Sequence, residues 1–430
     1  MGGASIRLEP ARLAQTLDAI AGLGNRYHGT EGEARFRDWL AEQFQALGLA
    51  RVRLEPFRYL AYEPGSAACL VSLPERLELA CRAVQFSADG EASGEAVYIG
   101  TGTSEDFERI DRLGIELAGK VVIAHSIAPF MVAPFLEGRE IASFVNVGET
   151  PDGLVGNFTA ALYRPPLEPP WPGRPVPYPA VTVEAAAGRA LISTITTGRP
   201  TEISVEHRAT YVEKEAANVV GEIEGRADGR VVVGGHYDSQ LEGPCVWDNG
   251  TGIASLLEIA RELRDAEPLR TIDVVAFAVE EVGLWGSTFY TVQHAADMDS
   301  VVGMANLDAV ASCYPAKQTI WTDEAMRDFA VESARLQGWD PEIVFDARLF
   351  EFSDNTPFTD VGVPACWIWE FPPIHPYYHS SGDTRELVDE SKLARTAAVT
   401  GRLVHRLATL ENPGLGRAAT EPARAPEIER

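Results

Sequence analysis

Arg230-Val-Val-Val-Gly-Gly-His-Tyr-Asp-Ser239 is the stretch on which the fold turns. After Arg230, its next five residues are apolar without alternation, the pattern of a strand covered on both faces. Outward from it the chain continues in the same rhythm. Gly252 to Leu263 puts Ile253, Leu256, Leu257, Ala260 and Leu263 on one helical stripe. Ile272-Asp-Val-Val-Ala-Phe-Ala-Val279 is a second near-continuous apolar strand, and Val301–Leu307 and Pro364–Trp369 follow. Apolar strands separated by helical segments predict an α/β fold, with a mostly parallel, twisted sheet sandwiched between helices.

Upstream, residues 8 to 49 read as two helices. Phe36, Trp39, Leu40, Phe44 and Leu47 recur at helical spacing, and Gly48 stands where a C-terminal cap is needed. Residues 52 to 212 differ. Short β-rich runs such as Glu95–Gly100 and Gly119–Ala124 alternate with Gly and Pro. The Pro-rich stretch Arg164–Pro179 cannot join a ladder and is long enough to cover a site. The expected division is one domain from 1–55 plus 213–411, a β-rich insert at 56–212, and a polar, disordered tail at 412–430.

With 430 residues, 45% of them hydrophobic, the chain can build two or three cores. Asp and Glu number 63 against 37 Lys and Arg, a formal charge of -26. That balance argues against nucleic-acid partners, which need a basic face, and against anionic membranes. No stretch approaches the ~18 apolar residues of a membrane span. The opening Met1–Gln15 lacks the basic-then-apolar pattern of a signal peptide. The expectation is a cytoplasmic chain, or a secreted one whose leader has been removed. Cys69, Cys81, Cys245, Cys313 and Cys366 are odd in number and form no CxxC pair, which excludes a disulfide scaffold and a thiolate zinc ribbon. The acidic excess reads as solvated surface, with a minority of carboxylates available to a metal.

The chemistry-bearing residues follow a positional rule. His236 and Asp238 lie just past the first apolar strand, Glu280 and Glu281 just past the second, and Asp308 just past the third. Ligand sites of open parallel sheets form at the carboxyl ends of strands. Three strand ends therefore bring one imidazole and four carboxylates to one edge. Asp248 stands in the turn Trp247-Asp-Asn-Gly-Thr-Gly252, and His379 in Tyr378-His-Ser-Ser-Gly-Asp-Thr384. Carboxylates this close repel one another unless a cation lies among them. Imidazole with carboxylate suits zinc, and manganese and cobalt accept the same donors.

These motifs, in this order, resemble the M28 metallopeptidases: His236-Tyr-Asp238-Ser, Asp248-Asn-Gly-Thr-Gly252, Glu280-Glu281-Val-Gly-Leu-Trp-Gly-Ser287, Asn306-Leu-Asp308 and His379-Ser-Ser-Gly-Asp-Thr384. The resemblance spans residues 217 to about 410, and residues 60–205 resemble the protease-associated domain inserted in some members. It implies two zinc ions, or manganese or cobalt in their place. His236 and Asp308 would hold one, Glu281 and His379 the other, and Asp248 would bridge both ions, which could then share a hydroxide. Glu280 would be the general base, and Asp238 would accept from the second ring nitrogen of His236. The implied activity is that of an aminopeptidase on peptides or amino-acid amides. Rivals are a carboxypeptidase or dipeptidase, with Arg348 or Lys317 meeting the substrate carboxylate, a glutaminyl cyclase, and a non-catalytic binding module.

The sequence departs from the family's pattern in the turn Pro244-Cys-Val-Trp247, where smaller residues are usual, and at Asn355, where His is frequent. Trp247, Asp354, Asn355 and Tyr378 are therefore the candidate substrate contacts. Tyr377, Trp367, Trp369 and Phe371 are candidate pocket walls, and His375 is a competing ligand.

Overall fold

The computed structural model describes residues 6–125, 128–160, 175–315, 317–340, 342–344, 353–371 and 375–418. Residues 164–174 of the Pro-rich stretch and Arg348 lie outside these. The chain forms two compact units, and it passes between them after Tyr59, Lys214, His375 and Gly382.

The first unit holds residues up to Tyr59, Glu215–His375 and the stretch from Asp383. Its sheet runs in the order Glu342–Val344, Lys317–Thr322, Ala365–Phe371, Val301–Leu307, Arg230–His236, Thr271–Phe277 and the end of Glu202–Ile223. Four of the six pairings are parallel; those of Lys317–Thr322 with Ala365–Phe371 and of Thr271–Phe277 with Glu202–Ile223 are antiparallel. Arg230–His236 comes first in the chain among the central strands. Its successor Thr271–Phe277 lies on one side of it, and Val301–Leu307 on the other. The direction of winding reverses there, and that reversal opens a crevice at the carboxyl end of Arg230–His236.

The strands are covered by helices whose apolar faces the sequence dictates. Leu13, Leu17 and Ile20 of helix Pro10–Leu23 are fully buried, as are Phe36, Leu40 and Phe44 of helix Glu31–Ala46. Each such side chain contributes about 1.5–3 kcal/mol of burial free energy. Gly48 takes φ 77°, the left-handed turn expected after the second helix. Helix Thr251–Leu263 buries nearly all of its circumference, beyond the stripe read from sequence, because helices Pro10–Leu23 and Glu390–Thr409 pack on the faces that the sheet leaves open. Its buried Glu258 is held by Arg12 at 3.0 Å and Arg261 at 2.9 Å. Of the expected tail, residues 412–418 are described. Ala418 donates its N–H to the Gly362 carbonyl at 3.0 Å, and Arg417 donates to the carbonyls of Met298 and Val301.

The second unit carries a parallel row of strands, Gly90–Gly100, Val121–Ala124, Ser143–Val147 and Ala180–Val183, with Cys81–Ala83 antiparallel at its end. It also contains helices Ser104–Arg112, Pro129–Leu136 and Ala185–Thr196, which the sequence reading omits. The first starts in a capping box between Thr103 and Asp106. Among the described residues no helix is long and apolar enough to cross a membrane.

Asp273 is wholly buried in the sheet, where Arg230 pairs with both its oxygens and Tyr290 donates to it at 3.1 Å. Arg230→Ala strands that carboxylate and is expected to cost about 3–5 kcal/mol in a urea melt. The double change Arg230→Ala with Asp273→Asn should recover much of the loss. A cost for Arg230→Ala below ~1 kcal/mol would show that the pair is not holding the sheet.

Candidate metal centre

The register of the sheet builds the site. Phe277 pairs with His236, and Asn306 pairs with Gly234. Asp308 therefore comes level with His236, and Glu280 follows Phe277 by three residues. His236 Nε2 lies 3.2 Å from Asp248 Oδ1 and 3.3 Å from Asp308 Oδ1. Its Nδ1 faces Asp238 Oδ1 at 3.6 Å. A proton on Nδ1 turns the Nε2 lone pair toward two carboxylate oxygens, an arrangement that repels unless a cation lies among them. His236, Asp248 and Asp308 each offer one ligand atom within 4.8 Å of the others, and all three are buried.

Each donor is held from behind. Asp238 accepts from the main-chain N–H of Glu280 at 3.0 Å and of Glu281 at 3.3 Å, so one carboxylate fixes a histidine and two glutamates. Asp308 Oδ2 accepts from the Ser353 hydroxyl at 2.6 Å, and Asn306 donates to that hydroxyl at 2.6 Å. Gln240 donates to Glu281 Oε2 at 2.7 Å. Asp383 takes the main-chain N–H of Trp247 at 2.8 Å and of Asp248 at 3.0 Å, which sets the turn that presents Asp248. Asn249 ties three elements together. Its amide donates to the carbonyls of Leu307 (2.8 Å) and His236 (3.3 Å), and its oxygen accepts from Gly252 (3.0 Å) and Ala309 (3.2 Å). A Cβ on Gly252 would stand 2.3 Å from the Asn249 oxygen, so the turn requires glycine there. The buried Arg26 donates to the carbonyls of Tyr237, Pro244 and Cys245 and secures the loop before Asp248.

The backbone is strained beside these donors. Cys245, Val279 and Ala309 take φ 44°, 59° and 48°. Val279 is β-branched, and such a residue occupies the left-handed region only when its surroundings impose it.

Electrostatics point the same way. Burial, with the neighbouring carboxylates, pushes Glu280 and Glu281 well above the usual carboxylate range. Burial alone would lower His236, but Glu280 and Asp308 outweigh it and hold the imidazole well above its ordinary value. Burial raises Asp354 to about 7, against the pull of His236 and the Ser287 hydroxyl, and raises Asp383 to about 7. All of these directions are those of uncompensated negative charge in a poorly solvated place, and a divalent cation reverses them. The donor set fits such an ion.

The other candidates are placed as follows. His379, half-buried, lies in Pro376–Gly382, a segment that clusters with the second unit. Tyr378 is half-buried and stacks on it. Trp247, Asp354 and Asn355 have no exposed surface. His375 is buried with its ring stacked on Trp247 at 4.9 Å, and burial lowers its pKa to about 4. It is absent from the metal-compatible groups among the described residues. Trp367 and Trp369 stack with each other at 4.8 Å, and Trp367 donates to the Asp308 carbonyl. Sequence reasoning did not single out Gln240, Asn249, Ser353, Asp383 or Arg26. Asp383 and Asn249 lay inside quoted motifs, whereas nothing in the sequence marked Arg26.

A mostly parallel sheet with imidazole and carboxylate donors converging at its strand ends is a frame suited to holding a metal ion. Residues 218–404 match the model of peptidase family M28. Aminopeptidase YwaD of Bacillus subtilis (strain 168) is 28% identical over 254 residues, 54% of this chain and 53% of the relative. The chain thus spans about half the length of that relative. Bovine carboxypeptidase Q (Bos taurus) is 24% identical over 414 residues, 93% of this chain and 85% of the relative. A solved structure, the zinc aminopeptidase BSAP from Bacillus subtilis, superposes with a TM-score of 0.71 at 19% identity, covering 96% of this chain and 99% of that one.

Asn249→Ala leaves two buried carbonyls and two buried N–H groups without their partner. The expected destabilisation is about 2–3 kcal/mol, since each unsatisfied group costs about 1–3 and some relax. It should come with weaker zinc retention on dialysis against chelator. Wild-type stability and retention in this variant would contradict the clamp assigned to Asn249.

Proposed function

We propose that the chain is a zinc-dependent aminopeptidase that removes the N-terminal residue of peptides or of amino-acid amides. The observation that carries the reading is the convergence of His236 Nε2, Asp248 and Asp308 on one gap, with Glu280 and Glu281 on the adjoining strand end. In this reading His236 and Asp308 hold one ion, Glu281 and His379 hold a second, and Asp248 serves both. Manganese or cobalt would suit the same donors. When bound, the ions supply electrophilic polarisation of the scissile carbonyl and acidify water.

The chain's own groups do the rest. Glu280 takes the proton from the attacking water and returns it to the leaving amine, the two halves of general acid–base work. Asp238 keeps the His236 proton on Nδ1 and aligns the main chain of both glutamates, so base and ligand share one support. A cationic α-amino group of the substrate finds its partner among the surplus carboxylates. Tyr378, which keeps exposed surface, is the proposed direct substrate contact. Trp247, Asp354 and Asn355 are the further proposed contributors to substrate binding. The insert is read as a domain of the protease-associated type, on the parallel strands and flanking helices of the second unit.

A second reading, as a carboxypeptidase or dipeptidase, is favoured by the carboxypeptidase Q match over 93% of the chain. Aminoacyl-nitroanilides against N-blocked peptides separate the two. Turnover of blocked peptides alone rejects the aminopeptidase reading.

Glu280→Gln should keep its zinc yet lose ~10²–10⁴-fold in kcat. Full activity would remove Glu280 from the proton path. Asp248→Ala should lose zinc by elemental analysis, and unchanged zinc would refute its shared role.

A further inference from the structure

The segment Pro376–Gly382 that carries His379 has specific partners within its own unit. Asn157 donates its main-chain N–H to the His379 carbonyl at 2.8 Å, and its own carbonyl lies 3.1 Å from His379 Nδ1. A carbonyl oxygen only accepts. Nδ1 therefore carries the proton, and Nε2 keeps its lone pair. That is the tautomer in which an imidazole ligates through Nε2 with its other nitrogen tethered. The Asn157 amide reaches the same His379 carbonyl at 3.4 Å, and the Phe158 ring packs on the imidazole at 5.7 Å. Tyr377 donates its hydroxyl to Asp152. Gly382 leaves room for that tyrosine, since a Cβ there would stand 2.2 Å from the Tyr377 ring. His379 itself sits at φ 58°, a left-handed conformation that a histidine keeps when its neighbours fix it.

We infer that the loop Asp152–Phe158 of the inserted unit is the positioning element for His379, fixing the tautomer and the direction of its ring for a metal ion. The inference rests on the reading of His379 as a zinc ligand. The loop touches no reacting atom; it acts through His379 alone. The loop thereby sets the affinity for the ion that His379 holds, and ordering of the loop and loading of that ion are linked.

The test is zinc binding by the full-length chain, followed with a chromophoric chelator and by elemental analysis, for wild type, His379→Ala, Tyr377→Phe and Phe158→Ala with Tyr377→Phe. Wild type is expected to hold two ions, and His379→Ala to lose one. The double variant should keep the first ion at wild-type affinity and bind the second about 10–100-fold more weakly, the usual effect of removing a group that orients a ligand. Phe158→Tyr, which keeps an aromatic ring on the imidazole, should retain both. Thermal melts check that the variants are folded, and Tyr377→Phe, which removes a single oxygen, carries the test if the double variant is not. If His379→Ala loses an ion while the loop variants hold both as tightly as wild type, the positioning role is wrong. If His379→Ala itself keeps both, the ligand reading is wrong instead.

Discussion

The constraint on which the rest of the first unit depends is a charge imbalance in a place that water barely reaches. Asp238, Asp248, Glu280, Glu281, Asp308, Asp354 and Asp383 are each at most 8% exposed, and Arg26 and the imidazole of His236 are among the few positive groups that act on them. An uncompensated buried carboxylate costs several kcal/mol, more than a domain can absorb many times over. The cluster persists because many of these oxygens accept main-chain or side-chain N–H or O–H bonds, and because the gap at His236 Nε2 has the donors of a cation site. The upward shifts of Glu280 and Glu281 are the mark of that unmet charge.

The same groups that satisfy the carboxylates also set the geometry. Asp238 links the end of one strand to the start of the next turn. Asn249 stitches two strand ends to the start of helix Thr251–Leu263. Asp383 fixes the turn before it. Strain at Cys245, Val279 and Ala309 is the cost of aiming three side chains at one point, and these cross-links hold it in place. His236 and His379 share one pattern, Nδ1 turned to an oxygen.

Much of this was legible in the sequence, for identifiable reasons. Unbroken apolar runs named the central parallel strands, because strands covered on both faces have no polar alternation. The strand-end rule then places His236, Asp238, Glu280, Glu281 and Asp308 on one edge. Strands Lys317–Thr322 and Glu342–Val344 were not legible, being short and of mixed polarity. The insert's helices were hidden by Gly and Pro between β-rich runs. Arg26 was invisible because a buried guanidinium bonded to three carbonyls is made by tertiary packing alone. Asn249 reaches Leu307 and Ala309, and Ser353 reaches Asp308, across 45 residues or more, a relation that local pattern does not carry.

The central claim is that the buried carboxylate cluster is a divalent-metal site. The measurement that tests it most directly is the unfolding of chelator-stripped chain in urea, with and without added zinc. A ligand that binds only the folded state adds about 2.7 kcal/mol at a hundred times its Kd. The account predicts that zinc raises the unfolding midpoint in a concentration-dependent way, toward that of the loaded chain. A stripped chain that is equally stable across the zinc series, with no ion retained after desalting, would contradict it.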